Sequence, residues 1–313
     1  MKKTVLLPLV LSLLYSCKVS HERQIVFNDT AVNADEFSIN LLSPKENFYY
    51  TESIADSLFY NYRLTDSSGI VMMESGDSIY YNPVQMAHLA LYFISTYHNT
   101  QGAIYLDWAI KYADKLIELS KNDEHTLLFP YWFDFPLHGY EDFPMSPPWY
   151  SAMAQGQALT LFSRLYTLTM EEKYLEYANL TYNSFYLQFD EANLEKNWVS
   201  VVDENNYLWL EEYPFNPANY TLNGFLFALF GVYDYYLIRP ETEVYDLLCA
   251  TLTTAKYNIP RFRSPNEASY YCLAHKVQAD NYHTYHIKQI KFLYRMTNDE
   301  EFNRQATQLS EDH

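Results

Sequence analysis

The sequence predicts a mainly α-helical chain, an incomplete α/α toroid of about four helical hairpins with a short β-rich N-terminal segment ahead of it. Three observations predict this class. The 313 residues include only 7 glycines, which disfavours a β-rich or Rossmann-type architecture. The residues are 49% apolar and 19% charged, enough to build a substantial core. Eight stretches with helical periodicity follow residue 83 and arrive as four successive pairs, with mostly short linkers inside a pair and long ones between pairs. In such a layout alternating helices form an inner and an outer ring. The long loops gather at one mouth, where loops on a rigid scaffold commonly carry function.

The elements follow in order. Lys2 and Lys3 precede an apolar stretch over 5–14, too short to span a bilayer comfortably, which ends Leu14-Tyr15-Ser16-Cys17. Residues 1–17 therefore resemble a bacterial lipoprotein signal with Cys17 as the lipidated residue; an ordinary secretory signal is the alternative. The expected location is the cell envelope, lipid-anchored at the outer membrane on its periplasmic or surface side. Residues 18–45 are polar and weakly patterned and read as a tether. The remainder, 46–310, reads as one domain with a β-rich lead-in over 46–80. There, turns at Asp66-Ser67-Ser68-Gly69 and Glu74-Ser75-Gly76-Asp77 flank a strand over 70–73. The helices are expected at 84–97, 104–120, 149–168, 170–189, 222–237, 241–258, 283–296 and 299–309. The fifth is apolar almost all round and should be buried.

Charge and composition exclude several classes. The net charge of −18 argues against nucleic acid and against a basic membrane surface, leaving a lipid anchor as the membrane contact. Positive charge is nevertheless local: seven basic residues stand between Lys256 and Arg295 against Glu267 and Asp280. Tyrosine is the anomaly, with 32 copies against 19 Phe and 5 Trp. A flat apolar ring with a polar tip suits sugar rings as well as a core boundary. No nucleotide-binding glycine loop and no Gly-x-Ser-x-Gly elbow is present. Cys249 and Cys272 either pair or stand as two buried thiols. His283 and His286 stand three apart, but no further His or Cys stands at the needed spacing, so no metal site is expected there.

Acid, phenol and imidazole groups collect on the long loops: Glu211-Glu212-Tyr213-Pro214, Tyr270-Tyr271 and Tyr282-His283-Thr284-Tyr285-His286. Such groups suit proton transfer. Four stretches then carry a resemblance. They are Trp149-Tyr150-Ser151-Ala152-Met153-Ala154-Gln155-Gly156-Gln157-Ala158, Glu211-Glu212-Tyr213-Pro214 with Leu222-Asn223-Gly224-Phe225 and Gly231-Val232-Tyr233-Asp234, Tyr282-His283-Thr284 with His286-Ile287, and, more weakly, Tyr81-Asn82-Pro83-Val84-Gln85-Met86-Ala87. Across about 80–297 the sequence resembles the catalytic domain of the heparan or heparosan D-glucuronyl C5-epimerases.

The resemblance implies an isomerase that removes the C5 hydrogen of a glucuronic acid residue in an anionic polysaccharide and returns a proton to the opposite face, giving iduronic acid. It implies no cofactor and allows a homodimer. The same scaffold also suits a polysaccharide lyase or a non-catalytic glycan-binding lipoprotein. Carried over by motif, the catalytic residues are Glu212, Tyr213, Tyr271 and Tyr282, with Glu212 or Tyr213 on one ring face and Tyr282 on the other; Tyr270 competes with Tyr271. Tyr150, Gln155, Gln157, Asn223, His275 and His283 are expected to bind substrate, although Asn223 also suits a helix cap. The basic stretch around Lys276 would favour a phenolate. An arginine three residues after the family's third tyrosine is Ala274 here, and the family's β-sheet domain is essentially missing.

Overall fold

A computed structural model describes residues 23–54, 64–122, 124–139, 144–278 and 280–313. Eight α-helices stand among them: α1 (Pro83–Thr100), α2 (Ala103–Leu119), α3 (Ala152–Thr169), α4 (Glu172–Asn183), α5 (Leu222–Ile238), α6 (Thr242–Asn258), α7 (Asp280–Thr297) and α8 (Glu300–Asp312). Each odd-numbered helix packs on the next as a hairpin, and α1, α3, α5 and α7 contact one another in series. The odd helices form the inner layer and the even ones the outer layer of an incomplete α/α toroid. Burial agrees: α5 is buried continuously from Leu222 to Tyr235, whereas α2 buries only Ala109, Tyr112, Ala113 and Leu116.

Local chemistry sets the ends. Asn82 caps α1 by accepting the Gln85 N–H at 3.1 Å, and Pro83 occupies the first turn, where its missing N–H costs nothing. Three hairpin turns pass through a left-handed residue, Gln101, Met170 and Asn298, that stops one helix and reverses the chain. The inner helices α3 and α5 touch backbone to backbone: a Cβ on Gly156 would lie 2.4 Å from Ala228 Cα. Only glycine permits that approach. The expected fourth helix is shorter than predicted, giving way after Asn183 to a single 3-10 turn, Ser184–Tyr186.

Short antiparallel hairpins decorate the ring: β1 (Gln24–Phe27) with β2 (Thr30–Asn33), β3 (Met73–Ser75) with β4 (Ser78–Tyr80), β5 (Lys121–Asn122) with β6 (Leu127–Leu128), β7 (Phe135–Pro136) with β8 (Pro144–Met145), and β9 (Ser200–Val202) with β10 (Leu208–Leu210). The lead-in strand expected at 70–73 lies later, at β3. The expected tether is corrected for its described part. Phe27, Val32 and Ala34 are core residues, and the chain then lies along α6. Asp35 N–H donates to Thr253 Oγ1 at 2.8 Å, and the Tyr245 and Tyr233 hydroxyls donate to the Phe37 and Asn40 carbonyls at 2.9 and 2.7 Å. This strap covers an outer face that α6 could not leave in water. Cys17 and the lipoprotein-like segment lie outside the described residues. Among the described residues no helix is long and apolar enough to cross a membrane.

Candidate active site

The loops before α3, α5 and α7 meet at the N-terminal ends of the inner helices. Backbone bonds fix them there. Ala152 N–H donates to Glu211 C=O at 2.8 Å, and Leu222 N–H donates to Tyr271 C=O at 3.0 Å. Between them opens a cleft of about 460 Å³. Aromatic rings wall it: Trp149 stacks on Tyr131 at 3.8 Å, and Phe135 stacks on Tyr213 at 5.3 Å.

Glu211 and Glu212 follow β10, and their side chains go to different partners. Glu211 turns inward and accepts the Tyr220 N–H at 3.1 and 3.2 Å. Burial pushes its carboxyl up to about 8. Glu212 turns to the cleft, against the first turn of α5. A Cβ on Gly224 would lie 2.3 Å from Glu212 Oε2, so glycine is what lets the carboxylate seat there. Burial pushes Glu212 up to about 7, against hydrogen bonds from Tyr213, Tyr271 and the Gly224 N–H. The Tyr271 hydroxyl lies 3.2 Å from both carboxylate oxygens and 3.2 Å from the Tyr213 hydroxyl. The Tyr271 ring also packs on Tyr282 at 4.6 Å. Tyr282, in the first turn of α7, is 37% exposed and lines the cleft.

The structure thus brings the four proposed catalytic residues together, with Tyr271 in contact with Glu212, Tyr213 and Tyr282. The positive field expected behind them is elsewhere. Arg263 pairs with Asp312, Lys256 with Asp299, and Lys276 lies over Tyr270. Among the described residues no Lys or Arg lines the cleft. Burial, followed by the Glu212 charge, accordingly holds the Tyr213, Tyr271 and Tyr282 phenols above their usual range.

The expected substrate-binding set divides. Asn223 does line the cleft; Thr221, not Asn223, stands at the cap position of α5. The Asn223 side-chain oxygen is buried without a hydrogen-bond partner, a polar atom left for something in the cleft. Gln155 is a core residue instead, tying the Phe129 N–H, the Leu127 carbonyl and Ser184 Oγ together at 2.7–3.0 Å. Gln157 is buried behind His88, its amide nitrogen 3.5 Å from the His88 ring. His283 accepts the Ser269 N–H at 2.9 Å and donates to the Leu309 carbonyl at 3.0 Å, so both ring nitrogens are spent on packing α7. Tyr150 faces a separate hollow of about 210 Å³ with Trp198 and Pro214. Its neighbours Trp149 and Ser151 line the cleft, Trp149 also bordering the hollow. His275 lies behind Tyr271, beside Asn219, His138 and Cys272. Cys272 and Cys249 are both free thiols.

Sequence reasoning missed Asn82, His88, Tyr131, Phe133, Asn281 and Tyr285, all of which line the cleft. Burial pushes His88 down to about 4, so this imidazole is neutral. Asn82 sits in a motif already singled out at the start of α1, and Asn281 and Tyr285 flank Tyr282. The aromatic wall from the loop before α3 carries no spacing that marks it.

Comparisons with known proteins bear on the family and the fold. Residues 122–311 match the model of the family described as D-glucuronyl C5-epimerase C-terminus. An uncharacterized protein of Methanocaldococcus jannaschii is 29% identical over 203 residues, covering 64% of this chain and 63% of that one. The D-glucuronyl C5-epimerase of Caenorhabditis elegans is 26% identical over 181 residues, 52% of this chain and 28% of that one. The chain thus spans less than two thirds of either relative. Among solved structures, the GH76 α-mannanase of Bacteroides thetaiotaomicron superposes with a TM-score of 0.54 at 16% identity, covering 84% of this chain and 70% of that one. The GH76A α-1,6-mannanase of a Salegentibacter species gives 0.52 at 12% identity, covering 85% and 70%. At that identity the likeness is one of fold. The family match covers well over half of the chain and contains Glu212, Tyr213, Tyr271 and Tyr282, and the chain belongs to the D-glucuronyl C5-epimerase C-terminus family.

Proposed function

We propose that this protein is a uronate C5-epimerase that converts D-glucuronic to L-iduronic acid residues in a heparosan-like polysaccharide. One observation carries the reading: a buried carboxylate that titrates at about 7 is hydrogen-bonded into a row of tyrosines on the wall of an aromatic cleft. Near neutral pH Glu212 is available as a base while the phenols stay protonated and available as acids. Glu212 accepts the C5 proton, and the electron pair of the broken C–H bond moves into the substrate carboxyl group. Tyr282 donates its proton to C5 from the opposite face. Tyr271 touches both groups and returns the proton from Glu212 to Tyr282, restoring the starting state. With no cation among the described lining residues, the substrate carboxyl is met by the amides of Asn82, Asn223 and Asn281. The aromatic wall stacks against the sugar rings.

The test is incubation with heparosan oligomers in heavy water. Deuterium at C5 together with iduronate signals is the expected result. Unsaturated uronate absorbance would instead identify a lyase, and tight binding without either change a glycan-binding protein. Tyr282→Phe is expected to lower turnover at least ~100-fold with substrate binding retained. Full activity in that variant would remove Tyr282 from the reaction. Lipid anchoring at Cys17 belongs to the same proposal and is checked by fatty-acid labelling, which Cys17→Ala should abolish.

A further inference from the structure

Behind Tyr271, four donor atoms from three separate loops converge on one point. His138 Nε2 lies 3.2 Å from Cys272 Sγ, and Cys272 Sγ lies 3.7 Å from His275 Nδ1. Asn219 Oδ1 lies 3.1 Å from His138 Nε2 and 2.9 Å from His275 Nδ1. The two nitrogens and the sulfur are all within 4.8 Å of one another. Tetrahedral zinc, with bonds of ~2.0–2.1 Å to nitrogen and ~2.3 Å to sulfur, holds its donor atoms roughly 3.2–3.7 Å apart. The four distances between 2.9 and 3.7 Å fall in that range or within a few tenths of an ångström of it.

The surroundings are built to the same end. Asn219 is fully buried, and its amide nitrogen donates to Thr221 Oγ1 at 2.5 Å, which leaves its oxygen directed at the two imidazoles. A catalytic thiol is a poorer reading. In a Cys–His–Asn relay the sulfur and the amide meet different ring nitrogens, so that the imidazole passes a proton between them. Here both meet the same nitrogen, His138 Nε2.

The geometry points to a mononuclear zinc site in which His138 Nε2, Cys272 Sγ and His275 Nδ1 are ligands and Asn219 Oδ1 takes the fourth position. Zinc displaces the Cys272 thiol proton and ties together the loops that carry residues 138, 219 and 272–275. The His138 ring meets Tyr271 edge-on at 5.5 Å and Tyr213 at 6.2 Å, so the bound metal would brace the phenol row from behind. The site stands whichever sugar the cleft accepts.

The full chain, expressed without a histidine tag, is stripped with a chelator and titrated with Co²⁺. The expected spectrum has intense visible bands from a tetrahedral centre and a near-ultraviolet sulfur-to-cobalt charge-transfer band. The untreated protein should carry about one zinc per chain by mass spectrometry. Cys272→Ser should abolish the charge-transfer band, and His275→Gln should weaken zinc binding at least ~10-fold. A weak, octahedral, sulfur-free cobalt spectrum in the unsubstituted chain overturns the proposal, as does Cys272→Ser binding zinc as tightly as the parent. Should Cys272→Ser fail to fold, the cobalt spectrum of the unsubstituted chain decides alone. None of these readouts depends on turnover, so failure of the metal site and failure of the epimerase reading stay distinguishable.

Discussion

Two buried carboxylates, Glu212 beside the first turn of α5 and Asp234 toward the end of the same helix, live in opposite electrostatic settings. Asp234 is closed off by a cation: Arg164 on α3 reaches it at 3.2 Å, and Asn47 Nδ2 donates to it at 2.9 Å. Glu212 has no cation, only two phenols and one backbone N–H. The first is a strut between two inner helices. The second keeps a proton affinity that swings near neutral pH, because nothing positive holds it ionised. The contrast suggests where this fold places its stability and where it places its chemistry. At the hairpin-turn end Asp234 is paired with a cation, and at the loop end Glu212 is not.

Exchanging the two carboxylates' roles by mutation would break the comparison. The largest effect is expected from Glu212→Gln, a turnover loss of about 10²–10⁴-fold, with an unfolding midpoint that is unchanged or higher because a buried, unpaired charge is gone. Retained turnover on heparosan oligomers would move the base elsewhere. Arg164→Ala should do the reverse. It leaves Asp234 buried without its partner and should cost about 3–5 kcal/mol in urea unfolding. A cost near zero would make the pair dispensable and erase the distinction.

The smallest effect is a pH slope. Glu212 titrates at about 7 in the folded chain against an ordinary value of 4.5. Between those values the folded chain holds a proton that the unfolded chain has lost, so stability falls as pH rises through the window, and the loss is complete above about 7. Glu211, at about 8, adds in the same direction. Buried His88, pushed down to about 4, acts in the opposite direction below its ordinary value, so the comparison isolates the carboxyl: between about pH 5 and about pH 7 the urea midpoint of the parent should fall relative to that of Glu212→Gln. An identical slope in the variant would assign any decline to Glu211.

The helices were legible because their signals are local. The continuous apolar run at 222–237 needs no partner to declare itself buried, and the two-residue turns after α1, α3 and α7 leave the paired helices nowhere to go but alongside each other. The strap over 24–45 was not legible. Its apolar residues, Ile25, Phe27 and Val32, come in runs too short to register, and the groups that hold it, Thr253, Tyr245 and Tyr233, stand roughly two hundred residues away. The expectations for Gln155 and His283 failed by the same mechanism. Gln155 and His283 are polar residues in distinctive motifs, but their partners are mostly backbone groups of neighbouring elements, and only packing reveals that those needs are already met. Cys272 and His275 stand at a ligand-like spacing that could have been noticed, whereas His138 and Asn219 join them only through the loop crossing.

The sequence by itself determined the helical pairs, the family and the identity of the acid and phenol groups, because periodicity and motif order are written along the chain. Only the tertiary structure decided that Glu212, Tyr271 and Tyr282 form one row, that no cation among the described residues stands against that row, and that Tyr150 faces away while Trp149 faces in. Those outcomes depend on which side of an extended segment a side chain leaves from and on which distant loop meets it, quantities that no local pattern encodes.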